Sequence, residues 1–199
     1  MVDKKDATND SFDLKGRLLL AMPGMGDSRF HKAAILVCAH DENGAMGLVI
    51  NHTLPGIGME ELLKQLDIST DNRQTEKPVK DIPVMSGGPV ETARGFILHS
   101  TDFAQDDTIK VNDDFCVTGT IDALKAISTG NGPHDMIFIL GYAGWSPGQL
   151  DQEIQQNAWL VLDADQEIVF EKDPEKIWAK AIGKLGIDPA MLSGEAGHA

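Results

Sequence analysis

The chain has 199 residues, of which 42% are hydrophobic and 24% are charged, values typical of a globular protein rather than a disordered or fibrous one. Its 17 Lys and Arg against 31 Asp and Glu give a formal net charge of -14, which opposes direct binding to nucleic-acid phosphates and to anionic lipid head groups. Since chains of this length commonly form one domain, we expect a single domain over 14–185, with flexible tails over 1–13 and 186–199.

The sequence also indicates where the protein works. Residues 1–11 are polar and charged, so they lack the apolar run of a secretory signal. No window approaches the ~18 consecutive apolar residues that a membrane-spanning helix needs. We therefore expect a cytoplasmic protein without membrane contact, in which Cys38 and Cys116 are buried, reduced thiols.

In the first part of the chain, apolar runs separated by turn residues predict a series of strands. The Asn43-Gly44 pair between two of these runs is typical of a hairpin. Apolar residues at helical spacing from Met59 to Leu66 predict a short helix, and Asp67–Lys80 is predicted to be a polar loop. The predicted strands are Arg17–Met22, Ala34–His40, Ala45–Asn51, Ile82–Met85, Gly95–Ser100, Thr108–Val111 and Phe115–Thr118.

The second part mixes helices and strands. Thr120 is a suitable N-cap for a helix through Ile127, and the nearly continuous apolar run Met136–Leu140 predicts a central strand buried on both faces. The further predictions are a helix over Pro147–Gln156, strands over Ala158–Leu162 and Glu167–Phe170, and a final helix from Pro174. Because strands and helices do not alternate regularly, the fold class is predicted to be α+β, as a compact layered α/β-type domain around a mixed β-sheet.

Gly144-Trp145-Ser146-Pro147-Gly148 matches the G-x-S-x-G pattern of a serine hydrolase. Pro147 has no backbone N–H to donate to an oxyanion, and the only histidine after Ser146 is His198, near the C-terminus. The same residues also suit a helix start, with Ser146 as N-cap, Pro147 in the first helical position and Gln149 bonded back to the cap. We therefore predict no catalytic residues here.

Two glycine-rich turns, Pro23–Asp27 and Ser86–Pro89, have two possible interpretations. Tight turns with positive φ account for the glycines, and neither turn completes a phosphate-binding fingerprint; the minority hypothesis is that their backbone amides bind an anion. The six histidines show no metal-binding spacing. We therefore expect neither a metal nor another cofactor.

Four segments of the chain stand out together: Gly16–Pro23, Gly47–Asn51, Ser86–Val90 and Gly141–Leu150. In their order and spacing they resemble the bacterial YqgE/AlgH family, and the resemblance extends from Gly16 to Leu185. It implies a compact α/β-type fold with a mixed sheet, and one branch of that family is named for the regulation of alginate production. The family supplies no catalytic residues to carry over.

The resemblance implies that a shared binding surface would lie at the turns Pro23–Phe30, Ser86–Pro89 and Gly144–Gln149. We expect a non-enzymatic regulatory or binding protein that acts through an unknown protein partner or small molecule, without direct DNA contact. The alternative is an enzyme, or a protein that binds a small anionic ligand, using the Pro23–Phe30 and Gly144–Gln149 loops. These residues could instead only hold turns and caps together. The candidate binding residues are Asp27, Arg29, Phe30, Asn51, Gly87, Gly88, Trp145 and Gln149.

Overall fold

The computed structural model describes residues 13–69, 82–188 and 192, so most of the two predicted tails and most of the predicted polar loop lie outside the described residues. Within them the chain forms nine strands, five α-helices and one short 3-10 helix, Ser28–Phe30. The strands are β1 (Arg17–Ala21), β2 (Ala34–Asp41), β3 (Gly44–Val49), β4 (Val84–Ser86), β5 (Val90–His99), β6 (Ile109–Lys110), β7 (Cys116–Thr118), β8 (Met136–Trp145) and β9 (Trp159–Asp163). The α-helices are α1 (Met59–Gln65), α2 (Ile121–Ser128), α3 (Gln149–Gln155), α4 (Gln166–Val169) and α5 (Pro174–Lys184).

The strands form one curled sheet in the order β6-β7-β5-β8-β3-β2-β1-β9. Neighbouring strands along this order are antiparallel, and β4 adds a parallel pairing to β8. This mixed sheet with five helices confirms the predicted α+β class. The predicted central strand is also confirmed, because β8 pairs with β3, β4 and β5.

Strand β8 is longer than predicted and contains Gly141, which has a φ of 74°. Residues before Gly141 pair with β4 and β5, Tyr142 still pairs with Val90 of β5, and the residues from Ala143 to Trp145 pair with β3. A Cβ atom at Gly141 would lie 2.7 Å from the carbonyl oxygen of Gly88 and 3.0 Å from that of Val90. Glycine is therefore required at this position of β8.

The sheet is buried on both faces, as the alternation of side chains along β1 illustrates. Leu18 belongs to a cluster covered by α4 and α5, whereas the next residue, Leu19, belongs to a second cluster together with Trp145. A third cluster contains Leu63 of α1 and Leu124 of α2. The second cluster supports the loops that the sequence singled out.

One predicted strand, Glu167–Phe170, is wrong. Residues 166–169 form α4 because the Asp165 side chain accepts a hydrogen bond from the backbone N–H of Ile168 at 3.0 Å, which starts a helix where a strand was predicted. The helix capped by Thr120 is confirmed, as is the final helix from Pro174, which Asp173 caps.

Candidate functional site

The loop after β1 is held by a pair of opposite charges. Asp27 accepts from the backbone N–H of Arg29 at 3.0 Å and so caps the 3-10 helix. The Arg29 guanidinium also donates to both carboxylate oxygens, at 3.0 Å to Oδ1 and 2.6 Å to Oδ2. These hydrogen bonds to Arg29 lower the pKa of Asp27 and raise the pKa of Arg29. The Arg29 side chain stays 63% exposed, so it presents a fixed cation to the solvent.

A row of aromatic rings continues from this loop to the sheet. Phe30 packs edge-to-face on Trp159 with ring centroids 5.7 Å apart, and Trp159 packs edge-to-face on Trp145 at 6.0 Å. Edge-to-face contacts are the favourable geometry for such rings. The loop is therefore anchored on the second core cluster through Phe30.

Glu153 of α3, which the sequence analysis missed, connects the aromatic row to the second loop. Its Oε2 accepts from the indole N–H groups of Trp145 at 2.9 Å and Trp159 at 2.7 Å, and its Oε1 accepts from the side-chain amide of Gln149 at 2.8 Å. Two signals in the sequence could have found it: buried indoles need an acceptor, and Glu153 lies four residues after Gln149 on one helix face.

The Gly144–Gln149 loop forms a different turn from the one predicted. Gly148 has φ 70° and ψ -2°, and the N–H of Gln149 donates to the carbonyl of Ser146 at 3.0 Å, which is the geometry of a type II turn with Pro147 at its second position. Helix α3 therefore starts at Gln149, and the predicted start with Ser146 as N-cap is wrong. The predicted return bond is confirmed, because the Gln149 side chain accepts from the N–H of Ser146 at 3.0 Å.

The two loops meet around a cavity of about 220 Å³, which we call the loop cavity. Residues from both loops line it, together with Pro89 of the third predicted turn and residues of β8, α3 and β9. The structure thus brings five of the eight candidate residues to one place. The residues that line the loop cavity are Met25, Asp27, Arg29, Phe30, Pro89, Ala143, Gly144, Trp145, Gln149, Glu153, Ala158 and Trp159.

The other three candidates, Asn51, Gly87 and Gly88, do not line the loop cavity. The Asn51 side chain accepts from the N–H of Ala34 and donates to the carbonyl of Lys32, both at 2.8 Å, so it ties down the start of β2. Gly87 bonds to two strands, donating to the carbonyl of Leu140 and accepting from the N–H of Val49. A Cβ atom at Gly88 would lie 2.3 Å from the backbone of Tyr142. These three residues shape the sheet next to the loops.

The structure also bears on the two cysteines, on a possible metal site and on a possible membrane-spanning helix. Cys38 and Cys116 are free thiols and are buried as predicted, and burial raises the pKa of Cys38 to about 12. In residues 13–69, 82–188 and 192, no group of three or more His, Cys, Asp or Glu is arranged to hold a metal ion. None of the helices in that same part of the chain combines the length and apolarity needed to span a bilayer.

Comparison with known proteins identifies relatives along almost the entire chain. The family model described as AlgH-like matches residues 18–190. A UPF0301 protein of Bradyrhizobium diazoefficiens is 49% identical over 189 residues, which cover 94% of this chain and 88% of that protein.

Two solved structures share the fold. The solution structure of the AlgH protein from Pseudomonas aeruginosa has a TM-score of 0.73 and 36% identity, covering 100% of both chains. Protein DIP2367 from Corynebacterium diphtheriae has a TM-score of 0.69 at 19% identity, covering 96% of this chain and 92% of its own. The resemblance inferred from four sequence segments is thereby confirmed, and the chain belongs to the AlgH-like family.

Proposed function

We propose that this protein is a non-enzymatic, cytoplasmic binding protein that acts in regulation and recognises its partner through the loop cavity. The observation that carries the proposal is the convergence of Pro23–Phe30 and Gly144–Gln149 on one cavity. The two loops lie far apart in the chain, so the shared cavity is produced only by folding. We also place the boundaries of this binding domain at residues 14 and 185.

The size and composition of the loop cavity indicate what it recognises. Its volume of about 220 Å³ is below the ~300–1,000 Å³ of pockets for drug-sized ligands, so it suits one side chain of a partner protein or a small fragment. Exposed Arg29 lies over the Phe30 ring, with the guanidinium carbon 5.9 Å from the ring centroid. Arginine and aromatic residues dominate the binding energy of protein interfaces, which favours a protein partner.

The ionisable groups of the loop cavity favour recognition over catalysis. They are Asp27, Arg29 and Glu153, and each already forms hydrogen bonds with its neighbours. Groups held in this way give a fixed pattern of charge, whereas a general acid or base needs a proton that it can exchange with a substrate. Two carboxylates against one guanidinium also disfavour the anionic ligand considered from the sequence.

The net charge of -14 supports regulation through a partner rather than through DNA. A DNA-binding surface requires a concentration of lysine and arginine that gains free energy by displacing counterions from phosphates. An acidic protein instead repels the duplex at long range. Regulation by this chain therefore works through a protein or a small molecule.

Affinity capture from native cell lysate, combined with native mass spectrometry of the purified protein, tests the proposal. Wild type and Lys176→Ala, an exposed change on α5, should capture the same partner, and Arg29→Ala should lose it. Both substitutions remove one exposed cation of a surface ion pair, so their effects on stability are small and matched. Equal capture by Arg29→Ala would contradict the proposal, and a retained metabolite that is chemically converted would favour the enzyme alternative.

A further inference from the structure

A second and larger cavity lies beside the loop cavity and shares Gly144 and Trp145 with it. It has a volume of about 900 Å³ and is lined by residues of β2, β3, β5, β6, β7 and β8; we call it the sheet groove. Cys38, Phe96 and Val117 line it and also belong to the core cluster that α4 and α5 cover elsewhere. The sheet groove is therefore an uncovered extension of the hydrophobic core.

Apolar and aromatic side chains provide much of the lining of the sheet groove. Met46, Val90 and Tyr142 contribute from the central strands, and Tyr142 packs edge-to-face on Phe96 with centroids 6.1 Å apart. Ile109 of the edge strand β6 lines it while remaining 60% exposed to solvent. An exposed isoleucine next to an apolar concavity of this volume is typical of a ligand site.

The charged residues of the sheet groove are unequally paired. Arg94 donates to the Glu91 carboxylate at 2.9 Å and lies over the Phe96 ring, 5.1 Å from its centroid. Asp41 accepts only from the backbone N–H of Asn43 at 2.7 Å, and Asp107 accepts two long hydrogen bonds of 3.3 Å near the start of α2. In the part of the chain that the structure describes, neither aspartate forms an ion pair.

We propose that the sheet groove binds a small organic cation, with an apolar or aromatic body against Met46, Phe96 and Tyr142 and an ammonium or guanidinium group paired with Asp41 or Asp107. The two carboxylates without ionic partners supply the charge complementarity, since the groove's one arginine is already neutralised by Glu91. The site is independent of the loop cavity's proposed role.

Three probes with one indole body and different charge test the proposal: tryptamine, tryptophol and indole acetate. Each is titrated into the full chain, and amide chemical shifts are followed by NMR. We expect tryptamine to shift amides around Ile109 and Tyr142, to bind at least about threefold more tightly than tryptophol, and to weaken as sodium chloride is added. Indole acetate should bind most weakly.

Substitutions then separate charge from apolar burial. Of Asp41→Asn and Asp107→Asn, the variant that removes the pairing carboxylate should weaken tryptamine about threefold and leave tryptophol unchanged, because the amide keeps the shape and removes the charge. Asp113→Asn, which is exposed, paired with Lys110 and outside the groove, is the matched control. Ile109→Lys should abolish tryptamine binding, since it places a competing cation at an exposed groove position.

Three results would overturn the assignment: no probe shifts groove amides, all three bind equally, or the aspartate variants keep the wild-type affinity for tryptamine. Arg29→Ala should bind tryptamine normally, because Arg29 does not line the sheet groove. Arg29→Ala therefore tests the proposed role of the loop cavity separately from ligand binding in the sheet groove.

Discussion

The carboxylate of Glu153 accepts a hydrogen bond from the indole of Trp145 at 2.9 Å, and this bond attaches helix α3 to the end of β8. The same oxygen accepts from Trp159 of β9 at 2.7 Å, so one side chain connects three elements around the loop cavity. Both indoles are buried, and a buried N–H without an acceptor destabilises the fold.

Glu153→Ala should lower the free energy of unfolding by about 2–3 kcal/mol, because it leaves two buried indole N–H groups without their acceptor. Glu153→Gln should cost about 1 kcal/mol, since the amide oxygen can still accept from both indoles, whereas the charge and the hydrogen bond from Gln149 are lost. Urea denaturation followed by tryptophan fluorescence measures both values. The control is Gln152→Ala, which changes an exposed residue of the same helix. If Gln152→Ala lowered the free energy of unfolding as much as Glu153→Ala, the loss could not be assigned to the indole hydrogen bonds.

Gly141→Ala should destabilise the protein by about 2 kcal/mol or more, because a Cβ there meets two carbonyl oxygens and the residue has positive φ. Gly183→Ala is the matched control: it lies in α5 with nothing within 4 Å of the added Cβ. That substitution should stabilise the helix by about 0.5–1 kcal/mol. Thermal unfolding should show Tm changes of opposite sign, and equal changes would argue against a requirement for glycine at Gly141.

Ser146→Ala should change the free energy of unfolding by less than about 0.5 kcal/mol, because its side chain has no hydrogen bond among the described residues. Gln149→Ala should cost about 1 kcal/mol, since it removes the bonds to Ser146 and Glu153. Chemical denaturation of the two variants side by side checks this. A large loss for Ser146→Ala would instead restore the N-cap that the sequence suggested.

Stability should fall in mild acid because of the buried imidazole of His99. Its Nδ1 donates to the carbonyl of Ser100 at 2.8 Å, and its Nε2 faces the Thr118 hydroxyl at 2.9 Å; both residues, His99 and Thr118, are fully buried. Burial lowers the pKa of His99 below its ordinary value of 6.5, so the unfolded chain takes up a proton more readily than the folded one. The stabilisation of the folded state by neutral His99 is therefore complete above pH ~6.5. It is lost as the pH falls towards the pKa of His99 in the folded protein.

Unfolding free energies measured in urea at pH 7.5 and at about pH 5 test this expectation. His52, whose pKa burial also lowers, contributes in the same direction. His99→Gln should be less stable at neutral pH and should lose less stability on acidification than wild type. A variant that keeps the full wild-type pH dependence would show that another group is responsible.

Much of the fold could be predicted because its elements are encoded locally. Apolar runs bounded by turn residues identified β1 to β3, helical spacing identified α1, and Thr120 and Pro174 marked the starts of α2 and α5. The prediction failed at Glu167–Phe170, where a four-residue helix has too few turns to show a period of 3.6. It also failed at Ser146, because Pro147-Gly148 is compatible both with a helix start and with a type II turn.

The candidate site was predicted in part. Asp27, Arg29, Phe30, Trp145 and Gln149 could be singled out because unusual turns stand out in a sequence. Asn51, Gly87 and Gly88 carry the same kind of signal, yet they serve the sheet, since turn residues look alike whether or not they border a cavity.

The sequence by itself determined the class of the fold, the acidic character, the family and the two loops, because each depends on residue type and on spacing along the chain. Only the tertiary structure decided that these loops meet, that Glu153 joins Trp145 to Trp159, and that a groove opens on the other side of β8. The physical reason is that strands far apart in the chain pair side by side in one curled sheet. They bring together side chains whose separation in sequence carries no information about their distance in space.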